Sequence, residues 1–164
     1  MKPVILAIMS VLMSSAAFAA QNESTAANQI TEFVKLQKAC DGGSPKSCDD
    51  LGWLYEHSEK HDYFKAVNLY DKACNAGFVL GCYNLGEKYE YGYGVKQNYI
   101  KAVQLYQKSC TGGAADACMK LGWMYEDGRG VLQSKKDALN YFGRACDLKH
   151  QGGCADYAQL NSGK

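Results

Sequence analysis

The sequence predicts an all-α protein, a solenoid of αα-hairpins, and three observations lead to this prediction. All eight cysteines fall into four pairs, Cys40/Cys48, Cys74/Cys82, Cys110/Cys118 and Cys146/Cys154, each with the same spacing of eight positions. Successive pairs begin 34, 36 and 36 residues apart. The segments between them have helical periodicity, and such a period is typical of stacked helical repeats.

Residues 1–19 are predicted to be a signal peptide. Met1 and Lys2 give a positive start, an apolar run follows over 4–13, and Ala17 and Ala19 stand where a signal peptidase reads small residues. The run is shorter than the ~20 apolar residues that span a membrane. The alternative is an amphipathic or buried N-terminal helix. We therefore expect an exported protein, periplasmic or secreted, with no membrane span.

The expected domain organisation is a flexible lead-in over 20–28 and one repeat solenoid over 29–161. Without Lys2 the chain carries 17 basic and 17 acidic residues. The sequence has no basic stripe or run of like charge, so it gives no indication of binding to nucleic acid or an anionic membrane.

The helix that ends at the first cysteine of each pair has one apolar stripe. In the second repeat unit it comprises Ala66, Leu69, Tyr70, Ala73 and Cys74, at i, i+3, i+4, i+7 and i+8. Corresponding stripes end at the first cysteines of the next two pairs. The predicted N-caps, four residues before each leading alanine, are Asp62, Asn98 and Ser134, all of which accept hydrogen bonds from free backbone N–H groups.

The helix that begins near the second cysteine carries a recurring glycine. Gly52, Gly86 and Gly122 each follow a leucine and precede a tyrosine by three residues. Because glycine costs a helix up to about 1 kcal/mol relative to alanine, its recurrence predicts close crossing by another helix. The helices are expected to end at tight turns whose glycines have positive φ, namely Gly92, Gly94, Gly128 and Gly130.

The four cysteine pairs are predicted to be disulfides that staple antiparallel helices at their connecting turns. An oxidising compartment favours disulfides, and locality selects one pairing from the 105 that eight cysteines allow. Zinc usually takes closer pairs such as C-x2-C, so we expect no metal site and no cofactor. A thiol-redox role is a weaker alternative, because four equivalent pairs single out no reactive one.

The repeat unit resembles a known family. Leu-Gly-x-x-Tyr-Glu-x-Gly-x-Gly-Val followed by Lys-Ala-x-x-Leu-Tyr-x-Lys-x-Cys is similar to the Sel-one-like repeat, a relative of the tetratricopeptide repeat. With the paired cysteines and a signal peptide, the chain resembles the Helicobacter cysteine-rich proteins in particular. The resemblance covers about 31–160 and implies a right-handed superhelix with a concave face. The unit after Cys48 departs from the pattern, with residues 56–61 in place of glycines.

Two functions remain open from the sequence. The first is a scaffold that binds a protein or peptide partner in its groove. The second, implied by the resemblance, is a β-lactam or peptidoglycan-fragment binder with weak β-lactamase activity. The mature chain has no S-x-x-K motif. His57 and His61 are four residues apart beside acidic residues, but they are expected in a solvated loop rather than at a metal.

Candidate groove residues occupy positions outside the apolar stripes, on the first helix of each repeat. Tryptophan and tyrosine are favoured anchors at interfaces, although the two tryptophans are equally compatible with burial between neighbouring repeats. The tyrosines at pattern positions are expected in the core. The groove candidates are Asp49, Asp50, Trp53, Tyr83, Asn84, Glu87, Lys88, Met119, Lys120 and Trp123.

Overall fold

The protein is a helical solenoid in the computed structural model, which describes residues 30–59 and 61–163. Helix α1 covers 30–41. The helices that follow are α2 (Pro45–His57), α3 (Tyr63–Asn75), α4 (Val79–Tyr91), α5 (Tyr99–Thr111), α6 (Ala115–Asp127), α7 (Lys135–Asp147) and α8 (Gln151–Ser162). The described ranges contain no strand, and the predicted αα-hairpin solenoid is confirmed. The predicted signal peptide (1–19) and lead-in (20–28) lie outside them.

The even-numbered helices lie side by side along the solenoid. Each helix from α2 to α7 packs against the next one in the chain, and α2 also contacts α4. Side-chain bonds connect α4 to α6 through Glu87 and Lys120, and α6 to α8 through Trp123 and Asp156. The solenoid therefore has a continuous layer formed by α2, α4, α6 and α8.

The predicted helix starts are confirmed. Asp62, Asn98 and Ser134 cap α3, α5 and α7, and each side chain accepts a hydrogen bond from the backbone N–H three residues later. At α2, Ser44 is the N-cap and Pro45 follows at the first turn. Proline suits this position because the first N–H groups of a helix have no partner within the helix.

Four disulfides staple the helices in pairs, and the predicted pairing is confirmed. Cys40–Cys48 joins α1 to α2, Cys74–Cys82 joins α3 to α4, Cys110–Cys118 joins α5 to α6, and Cys146–Cys154 joins α7 to α8. Closing so short a loop contributes about 2–3 kcal/mol per bridge. The first three bridges are buried, whereas the last one, at the end of the solenoid, is partly exposed. The bridges therefore fix each tight hairpin, while the longer connections after α2, α4 and α6 depend on packing.

The recurring helix glycines lie where an aromatic ring of the next helix crosses. A Cβ atom on Gly52 or Gly86 would lie 2.8 or 2.7 Å from Cε1 of Tyr70 or Tyr106, and one on Gly122 would lie 2.3 Å from Cε1 of Phe142. Real Cβ atoms essentially never approach other heavy atoms so closely. The predicted close crossings are confirmed, and the three rings are buried in the core.

The two ends of the solenoid lack the residues that make these crossings. In α1, Glu32 stands at the position of the buried Ala66 of α3 and is exposed. In α8, Ala158 stands at the position of Gly122 of α6 and is also exposed.

Candidate functional site

The exposed side of the even-numbered helices is one connected surface, which we call the A-face. Asn84 Nδ2 of α4 donates to Asp49 Oδ1 of α2 over 2.8 Å. Lys120 Nζ of α6 lies 3.4 Å from Glu87 Oε1 of α4. Trp123 Nε1 of α6 donates to Asp156 Oδ2 of α8 over 3.0 Å. These polar contacts run across all four helices of the layer.

Two tryptophans project from the A-face. Trp53 of α2 is 52% exposed and Trp123 of α6 is 39% exposed. The Trp53 ring stacks on His57 with 4.2 Å between centroids, and Trp123 is held through its indole N–H. At the equivalent position α4 has Glu87, which accepts a hydrogen bond from Tyr83 Oη over 3.0 Å. The face thus presents two oriented aromatic rings on either side of a carboxylate.

Most of the sequence-predicted groove residues meet on this face, but Lys88 and Met119 point into the protein, and Asp49 is buried where α2 meets α4. Met119 is part of the core. Lys88 is buried, pairs with Glu56, and lies 5.6 to 5.9 Å from the ring centroids of three tyrosines. A signal was available, because Leu54 and Met124 occupy the equivalent positions of α2 and α6. Lys88 and Met119 are therefore not available to a partner on the A-face.

Three of the four cysteines of the layer, Cys48, Cys82 and Cys118, lie beneath the A-face and are not part of it. Cys82 of α4 and Cys118 of α6 are buried members of the core. Their Sγ atoms lie 3.6 and 3.8 Å from the backbone carbonyl oxygens of Cys74 and Cys110, the cysteines to which they are bonded. Cys82 and Cys118 therefore hold the helices of their hairpins together, and neither is accessible to a partner or a substrate.

A buried ionic centre behind the A-face was not predicted from the sequence. Its middle is Glu90, whose side chain is 2% exposed. The carboxylate accepts hydrogen bonds from Tyr106 Oη over 2.7 Å, Arg129 Nη1 over 2.9 Å and Lys120 Nζ over 3.2 Å. Lys120 Nζ also donates to Tyr91 Oη over 2.9 Å. We call Glu90, Tyr106, Lys120 and Arg129 the Glu90 centre.

A smaller version of this centre lies one repeat earlier. Glu56 accepts a hydrogen bond from Tyr70 Oη over 2.8 Å and pairs with Lys88. Its side chain is 17% exposed, so it is less completely enclosed than Glu90. The recurrence of Tyr-Glu at 55–56, 89–90 and 125–126 is the sequence signal that marks these positions. The Tyr-Glu pattern does not reveal which of the three glutamates are buried in the structure.

The surroundings of Tyr70, Tyr106 and Lys120 favour the protonated forms of these three side chains. Burial, together with the hydrogen bond to a carboxylate, raises the pKa of Tyr106 and of Tyr70 far above the ordinary value. Burial alone would lower the pKa of Lys120, but its hydrogen bond to Tyr91 and the charges of Glu90 and Glu87 outweigh it and raise this pKa. The tyrosines remain donors and the lysine remains charged, so the Glu90 centre holds the helices together.

All six serines of the described residues make structural hydrogen bonds. Ser44 and Ser134 cap helices, and Ser47 bonds to Ser44. The other three serines, Ser58, Ser109 and Ser162, each donate a hydrogen bond from the hydroxyl to a backbone carbonyl of another residue. None of these contacts pairs a serine hydroxyl with a lysine or histidine that would activate it as a nucleophile.

The two neighbouring histidines bond to the backbone. His57, the last residue of α2, has Nδ1 2.9 Å from Trp53 O, and His61 has Nδ1 2.8 Å from Glu56 O. Over 30–59 and 61–163, no group of three or more histidine, cysteine or acidic residues is arranged to hold a metal ion. No helix of this part of the chain is long and apolar enough to cross a membrane.

The charged residues are divided between the two sets of helices. The even-numbered helices carry nine acidic residues, Asp49, Asp50, Glu56, Glu87, Glu90, Asp116, Glu126, Asp127 and Asp156. Their three basic residues are Lys46, Lys88 and Lys120. The odd-numbered helices carry five acidic residues, Glu32, Asp41, Asp71, Asp137 and Asp147, and nine basic ones, Lys35, Lys38, Lys65, Lys72, Lys101, Lys108, Lys135, Lys136 and Arg144. Although the whole chain is nearly neutral, the even-numbered helices carry a net negative charge and the odd-numbered helices a net positive charge.

One surface cavity lies away from the A-face. It has a volume of about 840 Å³ and follows α7 at the end of the solenoid, with Tyr157 of α8 on one side. Its lining includes three of the basic residues of α7, Lys135, Lys136 and Arg144. It belongs to the basic side of the molecule and contains neither tryptophan.

Repeated helix pairs that build one shared face define a helical-repeat solenoid. The chain belongs to the Sel1 repeat family: the model of the Sel1 repeat matches residues 45–78, 79–113 and 115–150. The first and second matches begin with the even-numbered helices α2 and α4 and include the odd-numbered helix that follows, and the third does the same for α6 and α7. The A-face is therefore made by the first helices of successive repeats.

Solved structures with this fold include Helicobacter pylori cysteine rich protein B. It is 32% identical with a TM-score of 0.60, over 74% of this chain and 93% of that one. A protective antigen of uropathogenic Escherichia coli is 29% identical with a TM-score of 0.71, over 74% of this chain and 26% of the antigen. A Sel1 repeat protein from Oxalobacter formigenes is 30% identical with a TM-score of 0.68, over 72% of this chain and 48% of that protein.

Among curated proteins, cytochrome c oxidase assembly factor 7A of Xenopus laevis is similar to part of the chain. The identity is 36% over 72 residues, which are 42% of this chain and 31% of the assembly factor. The likeness thus covers less than a third of that protein.

Proposed function

We propose that this protein is an exported, disulfide-stapled scaffold that binds a protein or peptide partner on the A-face. The observation that carries the proposal is the pair of exposed tryptophans on a connected surface of a rigid solenoid. Tryptophan is enriched among the residues that dominate binding energy. Both rings are oriented by a neighbouring side chain, so little conformational freedom is lost when a partner covers them.

Export is supported by the cysteines. Four structural disulfides persist in oxidising compartments and are rare in the cytosol. The predicted signal peptide over 1–19 agrees with export. Detection of the mature chain in the exported fraction, with its N-terminus at Ala20, tests this part of the proposal.

The experiment for binding is affinity capture from the exported fraction with three forms of the oxidised protein. These are the unchanged protein, a Trp53→Ala/Trp123→Ala variant, and a Phe64→Ala control. Phe64 is a highly exposed aromatic on α3, outside the A-face. A specific partner should bind to the unchanged protein and the control, and lose binding to the double variant. Equal capture by all three forms would contradict the proposal.

The alternative is a β-lactam or peptidoglycan-fragment binder with weak hydrolase activity. The described serines are all engaged in structural hydrogen bonds, which offers no support for acylation at a serine. Incubation of the oxidised protein with a chromogenic cephalosporin, beside a heat-denatured control, tests the alternative. Saturable turnover that the Trp123→Ala variant loses would favour the enzyme over the scaffold.

A further inference from the structure

We propose that the partner segment bound on the A-face is a cationic peptide, rich in lysine or arginine. This inference rests on the proposed function and adds the charge of the partner. The first observation is the division of charge described above, because it places an acidic layer on the side of the molecule that carries both tryptophans. A field of this kind attracts and orients a ligand of opposite charge.

The acidic groups of the A-face are accessible. The side chains of Asp116 and Asp127 are 66% and 56% exposed. Both lie on α6 in register with Trp123, seven residues before it and four residues after it, so they share its side of the helix. Asp50 of α2 precedes Trp53 by three residues and is also exposed. Carboxylates therefore flank both aromatic rings.

The basic groups of the A-face offer little opposing charge. The Lys120 side chain is 12% exposed and its ammonium already bonds to Tyr91, Glu90 and Glu87. Lys46 is exposed, but its Nζ lies 2.6 Å from Asp50 Oδ2 in the first half of α2. Each exposed carboxylate of the A-face has one basic neighbour, which is Lys46, His150 or Arg129. The carboxylates still outnumber the basic groups of the even-numbered helices, so a cationic partner would find acceptors and aromatic faces, whereas an anionic partner would meet net negative charge.

The tryptophans suit the same ligand. A lysine or arginine side chain over the face of an indole gains a cation–π interaction, and tryptophan is the strongest partner for it. Trp53 and Trp123 lie two helices apart in one layer, a distance on the order of 20 Å at usual helix spacings. An extended segment of about six residues spans this distance. A peptide of eight residues is therefore long enough to contact both rings.

The test uses intrinsic fluorescence, because Trp53 and Trp123 are the two tryptophans of the chain. Two pools of tryptophan-free octapeptides are prepared with the same apolar residues. Four positions carry lysine or arginine in one pool and aspartate or glutamate in the other. We expect the cationic pool alone to cause a saturable change, which weakens as the salt concentration rises.

Matched variants locate the binding. Asp50→Asn/Asp116→Asn/Asp127→Asn removes three exposed carboxylates from the A-face, and Glu32→Gln/Asp41→Asn/Asp71→Asn removes three exposed ones from the odd-numbered helices. We expect the first variant to lose about tenfold in affinity for the cationic pool, as expected for three partly screened charge pairs. The second variant should keep its affinity within about twofold.

Equal or tighter binding of the acidic pool would overturn the inference, as would absence of a saturable change with the cationic pool. Equal losses in the two variants would overturn it too, because the charge of the A-face would then not be what is recognised. If capture of a natural partner still depended on the tryptophans, the scaffold function would stand and only the charge of its partner would be wrong. If capture did not depend on them, both proposals would fail.

Discussion

The Glu90 centre and the equivalent part of the next repeat have the same contact between a glycine and an aromatic ring, but they differ in the burial of the neighbouring glutamate. In the centre, Glu90 is buried and accepts from Tyr106, Lys120 and Arg129. One repeat later, Glu126 is exposed and Phe142 stands where Tyr106 stood. Both crossings have a glycine against the aromatic ring.

The difference separates what the fold requires from what it tolerates. The aromatic ring against glycine is present at all three crossings, whereas the ionic group is enclosed at two of them. When the ring has no hydroxyl, the glutamate remains in solvent, and no buried charge needs a partner. Close packing is therefore the general requirement, and the ionic centres are additions that must be complete because a buried charge without partners is strongly unfavourable.

The largest effect is expected when the buried carboxylate is removed. Glu90→Ala leaves Lys120, Arg129 and Tyr106 without their shared acceptor and should lower the free energy of unfolding by about 3–5 kcal/mol. Glu126→Ala, at the equivalent exposed position, should change it by less than about 0.5 kcal/mol. Denaturant unfolding of both variants with the disulfides intact measures the difference. Similar losses would mean that the enclosure of Glu90 has no energetic consequence.

Removal of one hydroxyl tests how much enclosure matters. Tyr106→Phe leaves Glu90 short of one donor and should cost about 1–3 kcal/mol. Tyr70→Phe removes the same bond from Glu56, which is partly exposed, so water replaces the donor and the loss should be smaller. The same unfolding measurement compares them. A larger loss of stability for Tyr70→Phe than for Tyr106→Phe would contradict the conclusion that burial of the glutamate sets the cost of losing a donor.

The glycine crossings should be sensitive in both regions. Gly122→Ala places a methyl group against the Phe142 ring and should destabilise by about 1–3 kcal/mol, in spite of the better helix propensity of alanine. Gly143→Ala is the control, since its Cβ would lie 3.3 Å from Tyr157, a residue at the exposed end of the solenoid. Thermal unfolding should show no loss for the control. Tolerance of Gly122→Ala would show that the helices can separate without cost.

The smallest expected effect is the contribution of Asp49 to the pH dependence of folding stability. Burial raises the pKa of this carboxyl despite the hydrogen bond from Asn84. The folded state therefore binds this proton more tightly than the unfolded chain, and the contribution of Asp49 to stability falls as the pH rises from the unfolded pKa of about 3.9 through the raised folded value.

Asp49→Asn removes this titration while its amide oxygen still accepts from Asn84. The variant should match the unchanged protein most closely in acid and exceed it in stability above the folded pKa. Urea unfolding of both proteins across the acid range measures the difference. A difference that is constant with pH would argue against a raised pKa.

The sequence by itself determined the architecture, because the requirements of a repeat are local and recur at fixed spacing. The helix caps Asp62, Asn98 and Ser134, the cysteine pairing and the close approach at Gly52, Gly86 and Gly122 follow from short-range rules of backbone and side-chain geometry. Most of the predicted groove residues also meet on one face for this reason, since a repeating helix presents the same positions at each turn of the solenoid.

Only the tertiary structure decided which charged side chains are enclosed. Lys88 reads as a surface residue in α4, yet it lies inside because Glu56 and three tyrosine rings from other elements surround it. Glu90 and Glu126 stand in the same local pattern and differ because Tyr106, Lys120 and Arg129 converge on one of them. These contacts join residues 16 to 39 positions apart, so the burial of a charge depends on which partners the stacked helices bring to it.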